Sequence, residues 1–342
     1  MGFGVAAILL ALVFTTLVLL LADAQPLQAY QNIIKGSFGS TTRVADVMVA
    51  WVPLLLATTG LLITFSAGLW NIGVEGQIAA GAIFTTLVLR LFQDTSVPPG
   101  LIIMLAILGG AVGGAVWAAL AGLLKIYGGV NEIFSGLGLN FVATAVTLWL
   151  IFGPWKRPGV GSMSGTEPFD RSLWLPMVEG LRASPWSLVL AVISIVIVFF
   201  MLRGTYFGLK LKAVGRNPRA AFMLGIPTAQ YMLLAFLLCG VFAGLAGAVQ
   251  VTAVYHRLIP SISSGYGFLG LLVAMLVNYQ PVAAALVSFF FAALNIGSIQ
   301  LPIVLKLDST LSGVLQGALV LFVLMMDGVR RRLNPDVVER SE

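Results

Sequence analysis

The sequence predicts an all-α integral membrane protein of about ten transmembrane helices, some of them discontinuous, and three observations predict it. Of the 342 residues, 59% are hydrophobic and only 9% charged, against roughly 45–50% and 25% in a soluble domain, and the mean hydropathy is +1.02. A soluble fold would leave much of that apolar surface in water, so a soluble enzyme is excluded. The apolar residues also fall into ten stretches, and crossing a bilayer as a helix takes about 20 residues. Finally, the 38 glycines make up about 11% of the chain against a usual 7%, which points to close helix packing and to breaks within spans.

The stretches lie near 3–22, 47–69, 72–92, 100–124, 133–152, 187–202, 231–253, 266–278, 282–298 and 310–328. The first has no basic region before it and is followed by Asp23 rather than a cleavage site, so it reads as a span and not a signal peptide. The second and third are divided by glycines from Gly68 to Gly76. Such a break suits a discontinuous helix beside a cavity, where protein or water satisfies the freed backbone groups. Gly109, Gly110, Gly113 and Gly114 in the fourth stretch, and Gly240, Gly244 and Gly247 in the seventh, repeat at small-xxx-small spacing and are assigned to helix packing. The short eighth stretch follows Ser263-Ser264-Gly265. With the break near 68–81 it gives a hint of an inverted repeat.

Charge orders these elements across the membrane. Residues 203–230 hold five basic residues and no acid, which places them in the cytoplasm by the positive-inside rule. Residues 153–186, with five prolines and three tryptophans, then form an external loop, and the tail 329–342, with Arg330-Arg331-Arg332, falls inside. One transmembrane domain over residues 1–342 is expected. The net charge of +6 records where loops sit, not a nucleic-acid surface, since no basic stripe is interleaved with aromatics.

Catalytic chemistry finds no constellation. The one histidine, His256, stands beside Arg257 without a second ligand, so no metal is expected, and the one cysteine, Cys239, lies in an apolar run. The sequence contains no Gly-Lys pair, so the chain lacks a phosphate-binding loop, and any ATP and Mg²⁺ must be bound by a partner. Polar residues inside apolar stretches carry the functional signal, because each is costly in hydrocarbon unless it faces a cavity or a partner group. Asn71, Glu75 and Gln77, together with Asn140, Tyr266 and Phe268, are the candidates for a substrate path. Glu75 has two readings: a wall or gate of that path, or a clasp holding the broken helix through backbone hydrogen bonds. Asn131-Glu132 reads as a helix start, and Asn278, Asn295 and Gln300 lie near span ends. In the cytoplasmic segment, Asn217 caps and Pro218 begins a short helix that stops at Gly225. Gly215, Arg216, Asn217, Pro218, Arg219, Ala220, Ala221 and Gly225 are expected to form its docking surface for another protein.

Five strings carry a resemblance: NIGVEGQ (71–77), VNEI…LN (130–140), GPWKRPG (153–159), AVGRNPRAAFMLGI (213–226) and SGYGFLGL (264–271). Over roughly 47–328 the chain resembles permease subunits of ATP-binding cassette importers of the ribose/branched-chain amino acid permease superfamily, most closely the nucleoside and simple-sugar branch. The Ala220-Ala221 to Gly225 spacing is similar to the loop by which such permeases fit their ATPase, although Arg219 stands where that loop has Glu. Relatives carry a Phe-Pro pair where this chain has Ser162-Met163-Ser164-Gly165. The resemblance implies a second homologous permease subunit, a cytoplasmic ATPase subunit, an external substrate-binding lipoprotein and a bacterial inner membrane. It implies a nucleoside as solute, with a simple sugar or flavin-like vitamin as alternatives. The residues alone leave open an ion-gradient-driven secondary transporter, with Glu75 as its ion site, or a channel.

Overall fold

The computed structural model describes residues 2–159, 164–277 and 279–306 and isolated positions between 313 and 325, with side chains from Leu9 onward. Asn278, Ser162-Met163, most of the stretch 310–328 and the Arg330-Arg331-Arg332 tail lie outside the described residues. All regular structure among them is helical: α1 (Gly2–Leu21), α2 (Pro26–Phe38), α3 (Thr41–Ser66), α4 (Val74–Phe92), α5 (Pro99–Ile126), α6 (Glu132–Phe152), α7 (Pro185–Gly204), α8 (Tyr206–Arg216), α9 (Pro218–Met223), α10 (Thr228–Val249), α11 (Tyr266–Leu276), α12 (Pro281–Ser298) and α13 (Gln300–Leu305). A 3-10 turn occupies Arg171–Leu173 and a π-helical turn, Gln250–Tyr255, continues α10.

Seven of these are long and apolar enough to cross a membrane: α3, α4, α5, α6, α7, α10 through Tyr255, and α12 continued to Leu305. The pair α1 and α2, bent by 110°, would make an eighth. The expected all-helical membrane architecture is therefore observed. The stretch expected at 266–278 forms only the 11-residue α11, which at 1.5 Å per residue extends about 16 Å, half the hydrocarbon thickness.

The chain divides into two compact units, residues 1–47 with 289–342 and residues 48–288. In the first, the α1–α2 bend is held by Tyr30, whose hydroxyl lies 2.7 Å from Thr15 Oγ1 and 3.1 Å from Thr16 Oγ1. Ser37 Oγ donates to Ala293 O at 2.6 Å, tying α2 to α12.

In the second unit α4, α5 and α10 pack most intimately. Their glycines face one another: a Cβ on Gly244 would strike the Gly110 carbonyl oxygen and lie 3.1 Å from Gly114 Cα, and one on Gly81 would strike Gly244 Cα. Backbone contact of this kind gives dispersion and Cα–H···O attraction where no hydrophobic effect operates between helices in lipid. Helix α3 is the most enclosed span. Its hydroxyls are absorbed locally, with Thr58 donating to Leu54 O and Thr59 to Leu55 O, each at 2.7 Å. At the start of α6, Asn131 Oδ1 accepts from Ile133 N at 2.8 Å as the cap, while Glu132 pairs with Lys125 Nζ at 2.6 Å across the α5–α6 turn.

Candidate functional site

The site is built from the two breaks that the glycines mark. Helix α3 ends because Gly68 takes a left-handed conformation (φ +71°). Its N–H donates to Phe65 O and that of Leu69 to Thr64 O, both at 2.9 Å, the paired bonds that close a helix with glycine just past its end. Residues 67–73 then reverse direction before α4 begins. Asn71 and Gln77 clasp this reversal through reciprocal amide bonds of 3.1 and 2.9 Å, and Asn71 Nδ2 also lies 3.0 Å from Cys239 Sγ. Asn140 on α6 holds it from the other side: Oδ1 accepts from Gly76 N at 2.8 Å and Nδ2 donates to Ile72 O at 3.0 Å. Buried Asn71 and Gln77 thus use their polar atoms on the fold.

The second break begins in the π-helical turn. Gln250, 1% exposed, donates through Nε2 to Ile262 O at 3.2 Å and Ser264 Oγ at 3.4 Å, and Tyr255 Oη lies 3.0 Å from the same Ser264 hydroxyl. These bonds fold the segment after α10 back along it until Gly265, also left-handed (φ +74°), starts α11.

The two breaks meet at Glu75. Its Oε2 accepts from Gly267 N at 2.7 Å, so a carboxylate in the first turn of α4 sits at the N-terminus of α11. The start of α11 directs its first N–H groups and the positive end of its dipole toward it. From this point the helices diverge. α4 leads to Arg90, whose guanidinium lies 5.6 Å from the Trp155 ring in the 153–186 loop. α11 leads the other way, toward Tyr279, which stacks at 5.3 Å on Phe65 near the end of α3. Tyr266 is buried, and Phe268, next to Gly267 in the chain, is 46% exposed. Sequence reasoning missed Gln250 and Tyr255; the signal was there, a lone amide in the apolar run AGAVQVTAVY (246–255).

The 153–186 loop is strapped onto the second break. Thr166 N donates to Leu258 O at 2.9 Å, Phe169 N to His256 O at 2.9 Å and Leu175 N to Thr252 O at 3.0 Å. His256 stacks on Trp174 with ring centroids 3.6 Å apart, and burial lowers its pKa below the ordinary histidine value. Among the described residues no three His, Cys, Asp or Glu side chains converge to hold a metal.

The capped segment lies at the opposite end of α10. Asn217 Oδ1 accepts from Ala220 N at 3.0 Å, Pro218 opens α9, and Gly225 (φ +79°) closes it as Gly68 closes α3, with Ile226 N donating to Ala221 O at 3.0 Å. The two alanines separate: Ala220 is exposed, Ala221 buried. The outer surface is Phe222, Met223 and Leu224, 69%, 85% and 80% exposed, beside exposed Arg216 and Arg219. Gly215 lies against the end of α3, where a Cβ would strike Ser66 O and stand 2.9 Å from Gly68 N. The segments on either side of that contact are the docking candidate and the first break.

Residues 43–324 match the family model described as branched-chain amino acid transport system / permease component. The chain is 29% identical over 340 residues to the glucose ABC transporter permease protein TsgB13 of Haloferax volcanii, covering 96% of this chain and 88% of that one. It is 26% identical to the guanosine ABC transporter permease protein NupP of Bacillus subtilis, with 95% and 93% covered. It is also 28% identical to NupQ, another guanosine ABC transporter permease protein of Bacillus subtilis, with 72% and 79% covered.

Proposed function

The chain belongs to the branched-chain amino acid transport system permease family, and on that premise we propose that it is one permease subunit of an ATP-binding cassette importer for a nucleoside, with a simple sugar as the second reading. Two different permeases named for one solute in Bacillus subtilis support a pairing with a second, homologous permease. A cytoplasmic ATPase supplies the ATP- and Mg²⁺-binding chemistry, and an external lipoprotein delivers the solute to this multi-pass subunit of the bacterial inner membrane.

The observation that carries the mechanism is the direct backbone contact between the docking segment and the first break. Phe222, Met223 and Leu224 form an apolar knob on a capped helix, flanked by cations, which suits insertion into a groove of the ATPase. Gly215 and Gly68 allow α8 to touch the turn that ends α3, so displacement of the docked helix is passed to residues 67–73 without an intervening side chain. That reversal ends at Glu75, where the N-termini of α4 and α11 are held together. Motion there parts the two helices and opens the path, with Phe268 as a stacking surface for a planar base and Glu75 as an acceptor. Asn71, Gln77 and Asn140 keep the reversal rigid enough to transmit the motion.

Reconstitution tests this against gradient-driven transport. Proteoliposomes holding this chain, its second permease and the ATPase take up guanosine or glucose only with ATP inside the ATPase compartment. Uptake by this chain alone under a proton or sodium gradient overturns the proposal.

A further inference from the structure

Helices α7 and α12 leave between them a groove of about 440 Å³ lined by Ile195, Phe199, Phe200, Pro281, Val282 and Leu286. Its walls are aliphatic or aromatic, and its rim is open: Phe200, Val282 and Leu286 are 62%, 60% and 70% exposed. A hollow of this kind, on helices that cross a membrane, holds hydrocarbon rather than water, because no polar group lines it to bind water. One end of the groove is charged. Arg203, in the last turn of α7, lays its guanidinium 5.0 Å from the ring centroid of Phe199, one wall of the groove. Arg203 is exposed and has no carboxylate at ion-pairing distance among the described residues. The segment 203–230 contains no acid at all. Two residues further on, Thr205 caps the start of the 11-residue α8, whose dipole adds positive potential at the same corner. Exposed Lys210 and Lys212 follow on that helix.

We propose that this groove is a binding site for an anionic phospholipid of the leaflet on the α8 side, one acyl chain lying between α7 and α12 and the phosphate paired with Arg203. A planar guanidinium presents two parallel N–H donors to a phosphate, and its stem can rest on the Phe199 ring while the charge stays at headgroup depth. The apolar groove fixes the chain and the arginine selects the charge. A second protein copy seated in the same groove would have to bring its own anion to Arg203. The site is independent of the transported solute and of the ATPase, since it uses neither Glu75 nor α9.

Native mass spectrometry of the intact complex released from nanodiscs tests the site, with phosphatidylglycerol and phosphatidylcholine as the two probes. The wild-type chain retains phosphatidylglycerol in preference. Arg203→Gln lowers that retention about fivefold, the scale of one basic residue at an anionic surface, and leaves phosphatidylcholine unchanged. Leu286→Trp, which fills the groove, lowers retention of both. A photo-crosslinking amino acid at position 282 attaches to lipid in the membrane. Equal retention of the two lipids by the wild type, an Arg203→Gln variant that behaves as the wild type, or crosslinking of position 282 to a protein overturns the proposal.

Discussion

Replacing Asn140 with leucine removes the side chain that holds the first break to α6, and the size of the effect follows from what is left behind. Gly76 is the third residue of α4, so its N–H has no carbonyl within its own helix, and Asn140 Oδ1 at 2.8 Å is its acceptor. Ile72 O loses its 3.0 Å donor at the same time. Each backbone group orphaned in a dry interior costs about 1–3 kcal/mol, and side-chain hydrogen bonds measured inside membrane proteins average about 0.6 kcal/mol. Two groups therefore destabilise the fold by about 1–6 kcal/mol, with no cavity to add because leucine has the same branched skeleton as asparagine and is the larger side chain. Unfolding by denaturing detergent titration in mixed micelles, followed by tryptophan fluorescence, reads this directly. Asn140→Asp keeps the acceptor for Gly76 and retains more stability than the leucine variant. A leucine variant within about 0.5 kcal/mol of the wild type, on the scale of an ordinary surface change, would refute the assignment of Asn140 as a backbone clasp.

Other consequences are as direct. Gly244→Val places side-chain atoms against the Gly110 carbonyl and Gly114; overpacking of about 1–3 kcal/mol or more lowers the yield of monodisperse protein on size-exclusion chromatography, and an undiminished yield contradicts the three-helix backbone contact. Glu75→Gln still presents an oxygen to Gly267 N and supports ATP-driven uptake within a few-fold of wild type, whereas Glu75→Leu does not; loss of all uptake in the glutamine variant would point to a charge-dependent role. Asn217→Ala removes the cap of α9 and costs that helix about 1 kcal/mol, seen as faster hydrogen exchange at residues 219–224. The fold holds the His256 pKa below its unfolded value, so the stability it contributes is complete above the unfolded pKa of about 6.5 and is lost as pH falls through the folded pKa. Proteolysis of the 164–184 loop accelerates in acid and ceases to depend on pH in His256→Phe.

Local chemistry was legible in the sequence, and long-range pairing was not. Asn217-Pro218 and Gly225 mark the ends of α9 because capping depends on residues within a turn of one another. The glycine-broken strings at 68–76 and 264–267 could be located for the same reason. Their meeting at Glu75 joins residues 192 positions apart, and no periodicity encodes that. The sequence marked Asn71 and Gln77 as polar residues at the break, but their mutual pairing, an amide six residues away across a reversal serving as both donor and acceptor, is visible only in the fold. The eighth apolar stretch is a half-length helix because the preceding residues fold back along α10 through Gln250 and Tyr255, and a π-helical turn carries no hydropathy signature distinct from the α-helix it continues. Gly215 reads as a docking residue when the segment is taken alone. It faces the end of α3, a packing fact visible only once both backbones are placed.

The contact between Gly215 and Gly68 tests the central claim most directly. Gly215→Ala puts a methyl group where the Ser66 carbonyl lies, on a helical residue whose own conformation alanine adopts freely, and leaves the Phe222–Leu224 surface untouched. ATP hydrolysed per solute imported is then measured in proteoliposomes containing the full complex, with co-purification of the ATPase confirming assembly. The account predicts that the complex assembles and hydrolyses ATP while import falls at least about tenfold, a loss of roughly 1.4 kcal/mol in coupling, so that the ratio rises by the same factor. A Gly215→Ala complex with the wild-type ratio would contradict it.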